Sequence, residues 1–510
     1  MSPPTSCTLN RRHLLGALGA GAVAMLDGSN SGAGATLAHT PHGHGAALDP
    51  LRATLELIPE RLSYSPAMQL SPEQQADLDA AVAEILEAFR LFSATLTDTQ
   101  RAQLLFPLDG MERTAGRDTS LTPSFCAVVV WCRPPWGLHL GSLSFGQRMA
   151  FETFLLTALG PTGYETVSGT RNRQQVIGVL EDRASTEAIE TARKVLPNQT
   201  FSDLWELIAA LQANGAVLSP EAIGAAAVGG LDPSWDDWLW PPPGLAQRWS
   251  QFEEYSIAIF GQPGDDVWAM RFEGHHVSHN LTFVQDGDHW QVHGTPLFVG
   301  AFPVVVPPPP TREDLSNPLL WQQGQSRGLG LIRSARKFWS ALPERERSAA
   351  LRPPEAFQQQ PPLLNDLPGG PMLVTLELKP DVGVITQGPH VDMSAATLSA
   401  DARRPLAALC DELLSNMQPA VATAYRRRLD EAVQSGAVVA TWAGGDLSDV
   451  GSPHFTSVAV GPFVVELLQT PGYAITSPEM PWSNHLHVML RDLASPMWGD
   501  PLSVHQRNDH

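Results

Sequence analysis

Two hydrophobic periods divide the chain. Between residues 51 and 216, apolar positions return every three or four residues, as in Leu78, Ala81, Val82, Ile85, Leu86 and Phe89, the spacing that lines one face of a helix. Four short runs punctuate the pattern: Leu70 to Gln75, Leu96 to Arg101, Leu143 to Arg148 and Leu342 to Arg347. In the first three, the hydroxyls of Ser71, Thr97 and Ser144 can accept from a free backbone amide while Gln74, Gln100 and Gln147 reach back, so each run predicts a helix start. Their repetition points to duplicated helical hairpins.

Residues 217–250 break the helical pattern with alanine, glycine, proline and Trp235, Trp238 and Trp240, and predict an inserted loop or lid. From residue 251 the period shortens. Short β-prone runs at 255–260, 267–272, 276–285, 289–292 and 296–302 are separated by Gly, Pro or Asp turns, with a hairpin expected at Asp286 to Asp288. Helices resume to about Leu351 and from Ala400 to Ser435; strands return at 437–442, 455–460, 463–468 and 484–491. The pattern predicts an α+β fold: a helical N-terminal half and antiparallel sheet built from two separated strand blocks with helices between them. Residues 51–510 are expected to form one compact domain, with 51–216 its helical part and 251–510 its α+β part.

Composition narrows the function. The 510 residues carry 53 acidic and 33 basic side chains, a net charge of -20, which removes the electrostatic footprint expected of a nucleic-acid binder. Arg11 and Arg12 precede an apolar run through Leu26 and a small-residue stretch to Ala38, so residues 1–38 read as a cleaved twin-arginine export signal. Its apolar run is too short for a stable span. The expected partner is the twin-arginine export machinery, the destination is extracytoplasmic, and no membrane anchor is expected after cleavage. His39, His42 and His44 then fall in a linker, residues 39–50. Of four cysteines, Cys7 leaves with the signal. Cys126 and Cys132 are about 20 Å apart if extended, and free thiols are expected for them and for Cys410.

The candidate chemistry sits in two stretches, Trp268 to Asn280 and Ser483 to Asp492. Read as one extended strand, the first sets Glu273, His275, Val277 and His279 on one side and His276, Ser278 and Asn280 on the other. In the second, His485 and His487 share a face, roughly 6–7 Å apart along the strand. Three nitrogen ligands follow: His276, His485 and His487 around a divalent transition metal (zinc, copper or iron), with an open position for water or substrate. His275 and Asn280 stand around the ligands, with His275 expected to pair with Glu273. Glu273, Arg491 and Asp492 are the candidate catalytic residues. Arg491 shares the face of His485 and His487 and suits an anionic group, while Asp492 suits a strand cap or an arginine partner.

Other catalytic signatures are missing: there is no Gly-x-Ser-x-Gly elbow, no Walker loop and no His-Glu-x-x-His. Two readings follow. One is an exported metalloenzyme, hydrolytic with zinc or oxidative with copper or iron, acting on a small molecule or a polymer. The other is a non-catalytic extracytoplasmic binding protein whose histidines form a structural polar cluster.

Several ordered motifs carry a resemblance. Phe106 to Asp109 followed by Glu112 and Arg113, the helix start at Leu143, Trp268 to Asn280, Thr295 to Ala301, Trp442 to Gly445 and His485 to Asp492 together resemble the domain-of-unknown-function 3500 family over most of residues 70 to 500. The resemblance implies a frequently exported protein and assigns no activity. The chain departs from the family pattern at His279, where an apolar residue is usual, in the 217–250 insert, and before Trp482, which lacks an acidic, asparagine-rich run.

Overall fold

The local caps start the helices. The computed structural model describes residues 70–108, 137–195, 255–274, 276–307, 325–352, 390–444, 446–470 and 484–492. Residues 1–38, the 39–50 linker, the 217–250 insert, Cys126, Cys132 and His275 lie outside them. Ser71 Oγ accepts from the Gln74 amide at 3.2 Å and the Gln74 side chain accepts from the Ser71 amide at 3.0 Å, opening α1, Pro72–Ala94. Thr97 and Gln100 repeat the exchange at α2, Asp98–Leu104, and Ser144 and Gln147 at α3, Phe145–Val195. Gly160, in the left-handed region at φ 72° and followed by Pro161, divides α3 into two helical segments. The later helices are α4, Leu329–Ala341; α5, Glu344–Ala350; α6, Ala400–Leu414; and α7, Pro419–Ser435.

The strands are β1, Leu105–Phe106; β2, Leu138–His139; β3, Ser256–Phe260; β4, Val267–Gly274; β5, Val277–Asp286; β6, His289–His293; and β7, Leu297–Ala301. They continue with β8, Leu351–Arg352; β9, Val391–Ser394; β10, Ala437–Gly444; β11, His454–Val460; β12, Phe463–Thr470; and β13, His485–Asp492. All belong to one 13-stranded sheet of order β1-β3-β4-β5-β7-β13-β12-β11-β10-β8, with β2 beside β3, β6 beside β5 and β9 beside β10. Among the described residues, only β1 with β3 and β8 with β10 pair in parallel. The fold is α+β, and the two strand blocks complete a single sheet through β7 and β13, where Val299 pairs with Val488.

The sheet is also a duplication. Among the described residues, each half runs helix, helix, short parallel strand, short antiparallel strand, one turn of 3-10 helix, two helical segments, and then long strands that pair in order, β3-β4-β5-β7 in the first half and β10-β11-β12-β13 in the second; β6, beside β5, has no counterpart in the second half. The register repeats as well. Leu105 and Phe106 pair with Ile259 and Phe260 as Leu351 and Arg352 pair with Trp442 and Ala443; Ser256 pairs with Glu273 as Val439 pairs with Ala459. The tight reversal between β4 and β5 therefore corresponds to that between β11 and β12, which places Pro462 where the first half has His276.

Strand alternation gives the sheet two unlike faces. Ile257, Met270, Phe272, Leu281, Leu297, Leu486, Val488 and Leu490 join the buried residues of α1, α3, α4, α6 and α7 in one apolar cluster. The opposite face carries Arg271, Glu273, Ser278, Glu466, His487 and Arg491, and these polar side chains are buried too. Cys410 is a free, buried thiol on α6, its pKa pushed up to about 12 chiefly by burial. Among the described residues no helix is long and apolar enough to cross a membrane.

Candidate metal centre

Gly274 pairs with Val277, so the chain reverses between them and the stretch from Trp268 to Asn280 is a hairpin rather than one strand. This corrects the face assignment. Glu273 and Ser278 are directly opposed across the hairpin and point to the same side, where an uninterrupted strand would have set them on opposite sides. His276 makes the reversal with φ 65°, and it is the one non-glycine residue of positive φ among those described. That conformation is uncommon outside glycine, although histidine adopts it more readily than most residues; it costs on the order of 1 kcal/mol and persists where its surroundings hold it.

What holds it is the other half of the sheet. The Gly300 amide donates to the His276 carbonyl at 2.8 Å, and Gly300 pairs with His487 across β7 and β13. The ring of His276 thereby meets those of His485 and His487. The Nε2 atoms are separated by 2.8 Å between His276 and His485, 3.1 Å between His276 and His487, and 2.9 Å between His485 and His487. His276 and His487 are buried and His485 is half-buried, so the cluster opens past His485. Phe302 stacks on the His485 ring with centroids 4.5 Å apart, and Phe298 meets the His487 ring edge-on at 5.4 Å.

The remaining predicted residues are spread around this centre. Glu273 faces Arg271 at 3.2 Å, both buried on the polar face. Asn280 donates to Ser278 Oγ at 3.2 Å and to the Pro296 carbonyl at 2.8 Å. Arg491 shares the alternation of His487 but lies four residues along β13, about 13 Å away. Its Nε donates to Glu466 at 2.8 Å. Asp492 falls on the helix-bearing side, where Arg428 of α7 grips both carboxylate oxygens at 2.6 and 2.9 Å. His279 lies on that side as well, 3% exposed, and burial lowers its pKa to about 3.

Sequence reasoning passed over Gly300, Phe298 and Phe302. Gly300 did carry a signal, since a glycine inside a strand run marks a close approach of another group. A Cβ on it would come 2.6 Å from His276 Cδ2.

A family model described as "Protein of unknown function (DUF3500)" matches residues 79–499. The chain belongs to the DUF3500 family. The DUF3500 match spans both halves of the sheet and includes all three histidines. Comparison with the curated proteins and with the solved structures gives no match.

Proposed function

We propose that the protein is a metal-dependent enzyme with a mononuclear site held by His276, His485 and His487. One observation carries the reading: three Nε2 atoms that are mutually within 2.8–3.1 Å. Along its ring axis each Nε2 presents either a proton or a lone pair, never both. Three atoms of two kinds must leave at least one edge joining two donors or two lone pairs, so hydrogen bonds cannot account for all three close contacts. A cation bonded to three lone pairs removes every such clash. With metal–nitrogen bonds of about 2.0–2.1 Å, edges near 3 Å fit three ligands on one side of an ion, leaving the other side open.

The open side, reached past half-buried His485, receives water or substrate. Zinc there would lower the pKa of bound water and support hydrolysis; copper or iron would support oxidation. Phe298 and Phe302 wall the site and limit water around it. Arg491 and Glu273 put charge on the same face of the sheet, each matched by a buried partner of opposite sign. In this reading the site lies outside the cytoplasm, delivered by the twin-arginine signal of residues 1–38, and acts on a small molecule or polymer.

Two of the three contacts can be hydrogen bonds at once, and on that rests the second reading, a non-catalytic extracytoplasmic binding protein with a structural histidine cluster. Elemental analysis of the purified mature protein separates the two. The enzyme reading expects about one zinc, copper or iron per chain, lost when His485→Ala and His487→Ala are combined, and the metal found selects hydrolysis or oxidation. Metal-free protein that takes up none of these ions on addition would sink it.

A further inference from the structure

A second polar group lies buried away from the histidines. Thr170 and Arg173 stand one turn apart on the later segment of α3, 0% and 2% exposed. Arg173 Nη2 reaches the Gln325 carbonyl at 3.3 Å and its side-chain oxygen at 3.4 Å, whereas Nε and Nη1 have no partner. Thr170 Oγ1 has none either. Arg327 enters from the segment before α4, its guanidinium packed so closely on Gly169 that a Cβ there would overlap it. Its Nε is buried and unpartnered, and the carboxylate it faces, on Glu165, is 3.8 Å away and 79% exposed.

Two guanidiniums thus share one turn of a helix face with unused donors and, among the described residues, no carboxylate against Arg173. Burial, then the charge of Arg327, lowers the pKa of Arg173 to about 9. Both groups stay charged at neutral pH, and a buried charge without a counter-charge is expensive. We infer that Thr170, Arg173 and Arg327 form a binding site for an oxyanion: a phosphate, sulfate or carboxylate group. The guanidinium forks match its oxygens and the hydroxyl rotates to donate. The segment also touches the histidine strand. The Arg327 amide donates to the Val304 carbonyl at 2.8 Å, and the Val304 amide to the carbonyl of Asn484, the neighbour of His485, at 2.9 Å. The inference does not depend on a metal being present.

The test is thermal unfolding of the full chain at fixed ionic strength, with chloride replaced stepwise by phosphate, sulfate or acetate. At least one of the three is expected to raise the melting temperature above the chloride control, and the tetrahedral and planar anions report which shape the site takes. Arg327→Gln should bind that anion at least about tenfold more weakly, the loss of one charge-assisted partner. In chloride alone it should melt no lower than the native chain, because a like charge beside Arg173 has gone. Arg173→Gln should lose the response as well, and Arg327→Gln carries the test if that variant fails to fold. An absent shift, an equal shift in native and Arg327→Gln protein, or a variant equally destabilised in every anion would overturn the inference.

Discussion

Gly300 lies directly beneath the side chain of His276: its amide donates to the His276 carbonyl at 2.8 Å, and a Cβ added to it would meet the ring Cδ2 at 2.6 Å and the His276 Cβ and Cγ at 2.9 Å. Gly300→Ala must push that ring away from His485 and His487. The expected result is metal content well below one ion per chain, with an overpacking cost of about 1–3 kcal/mol. Metal analysis beside a denaturant melt checks it. Full metal content in the alanine variant would mean that the ring has room to spare.

His276 offers a test of the strained reversal. Asparagine tolerates the left-handed region better than other non-glycine residues but supplies no imidazole. His276→Asn should therefore keep metal-free stability within about 1 kcal/mol of the native chain, while the rise in melting temperature on adding metal disappears. If the variant still gained stability from metal, His485 and His487 would suffice without it.

Asp492 is held by Arg428 on the helix-bearing side of the sheet, away from the histidines. Removing its charge leaves a guanidinium buried with its principal partner lost. Asp492→Asn is expected to cost about 3–5 kcal/mol of stability, yet the folded variant should retain its metal. Urea unfolding and metal stoichiometry on the same sample decide the matter; lost metal at unchanged stability would give Asp492 a direct part in the site.

Legibility followed locality. The boxes at Ser71, Thr97 and Ser144 span three residues, so their hydroxyl and amide groups were readable from composition at fixed offsets. The alternation from His485 to Leu490 was readable for the same reason. The break between the runs at 267–272 and 276–285 was readable at Gly274, but the part His276 plays in the reversal was not, because histidine is not a customary turn former. Joining β7 to β13 pairs Val299 with Val488, a separation no local signal reports. The duplication showed only in its caps. By register the counterpart of His276 is Pro462, so the second half offers no imidazole at the related place. Arg428 against Asp492 and Arg491 against Glu466 likewise join elements that only the folded sheet brings together.

His279 gives the fold a pH dependence. It sits among Val277, Leu281 and Leu297 on the apolar side, its Nε2 without a partner, and burial lowers its pKa to about 3 from 6.5. His293, buried at the end of β6, is lowered to about 4 by burial above all. In both, the unfolded chain binds a proton that the folded chain refuses. Their contribution to stability is complete above pH 6.5 and is lost as pH falls from there towards 3–4. At about 1.4 kcal/mol per pH unit, His279 alone removes on the order of 3 kcal/mol by pH 4. His279→Leu should lift that penalty, so denaturant midpoints measured from pH 7.5 to pH 4 should fall less steeply than in the native chain. It should also be no less stable at pH 7.5, since a buried nitrogen without a partner has been replaced by packing. Parallel midpoint curves for the two proteins would show that His279 finds a proton acceptor in the folded chain, and the burial argument would fail.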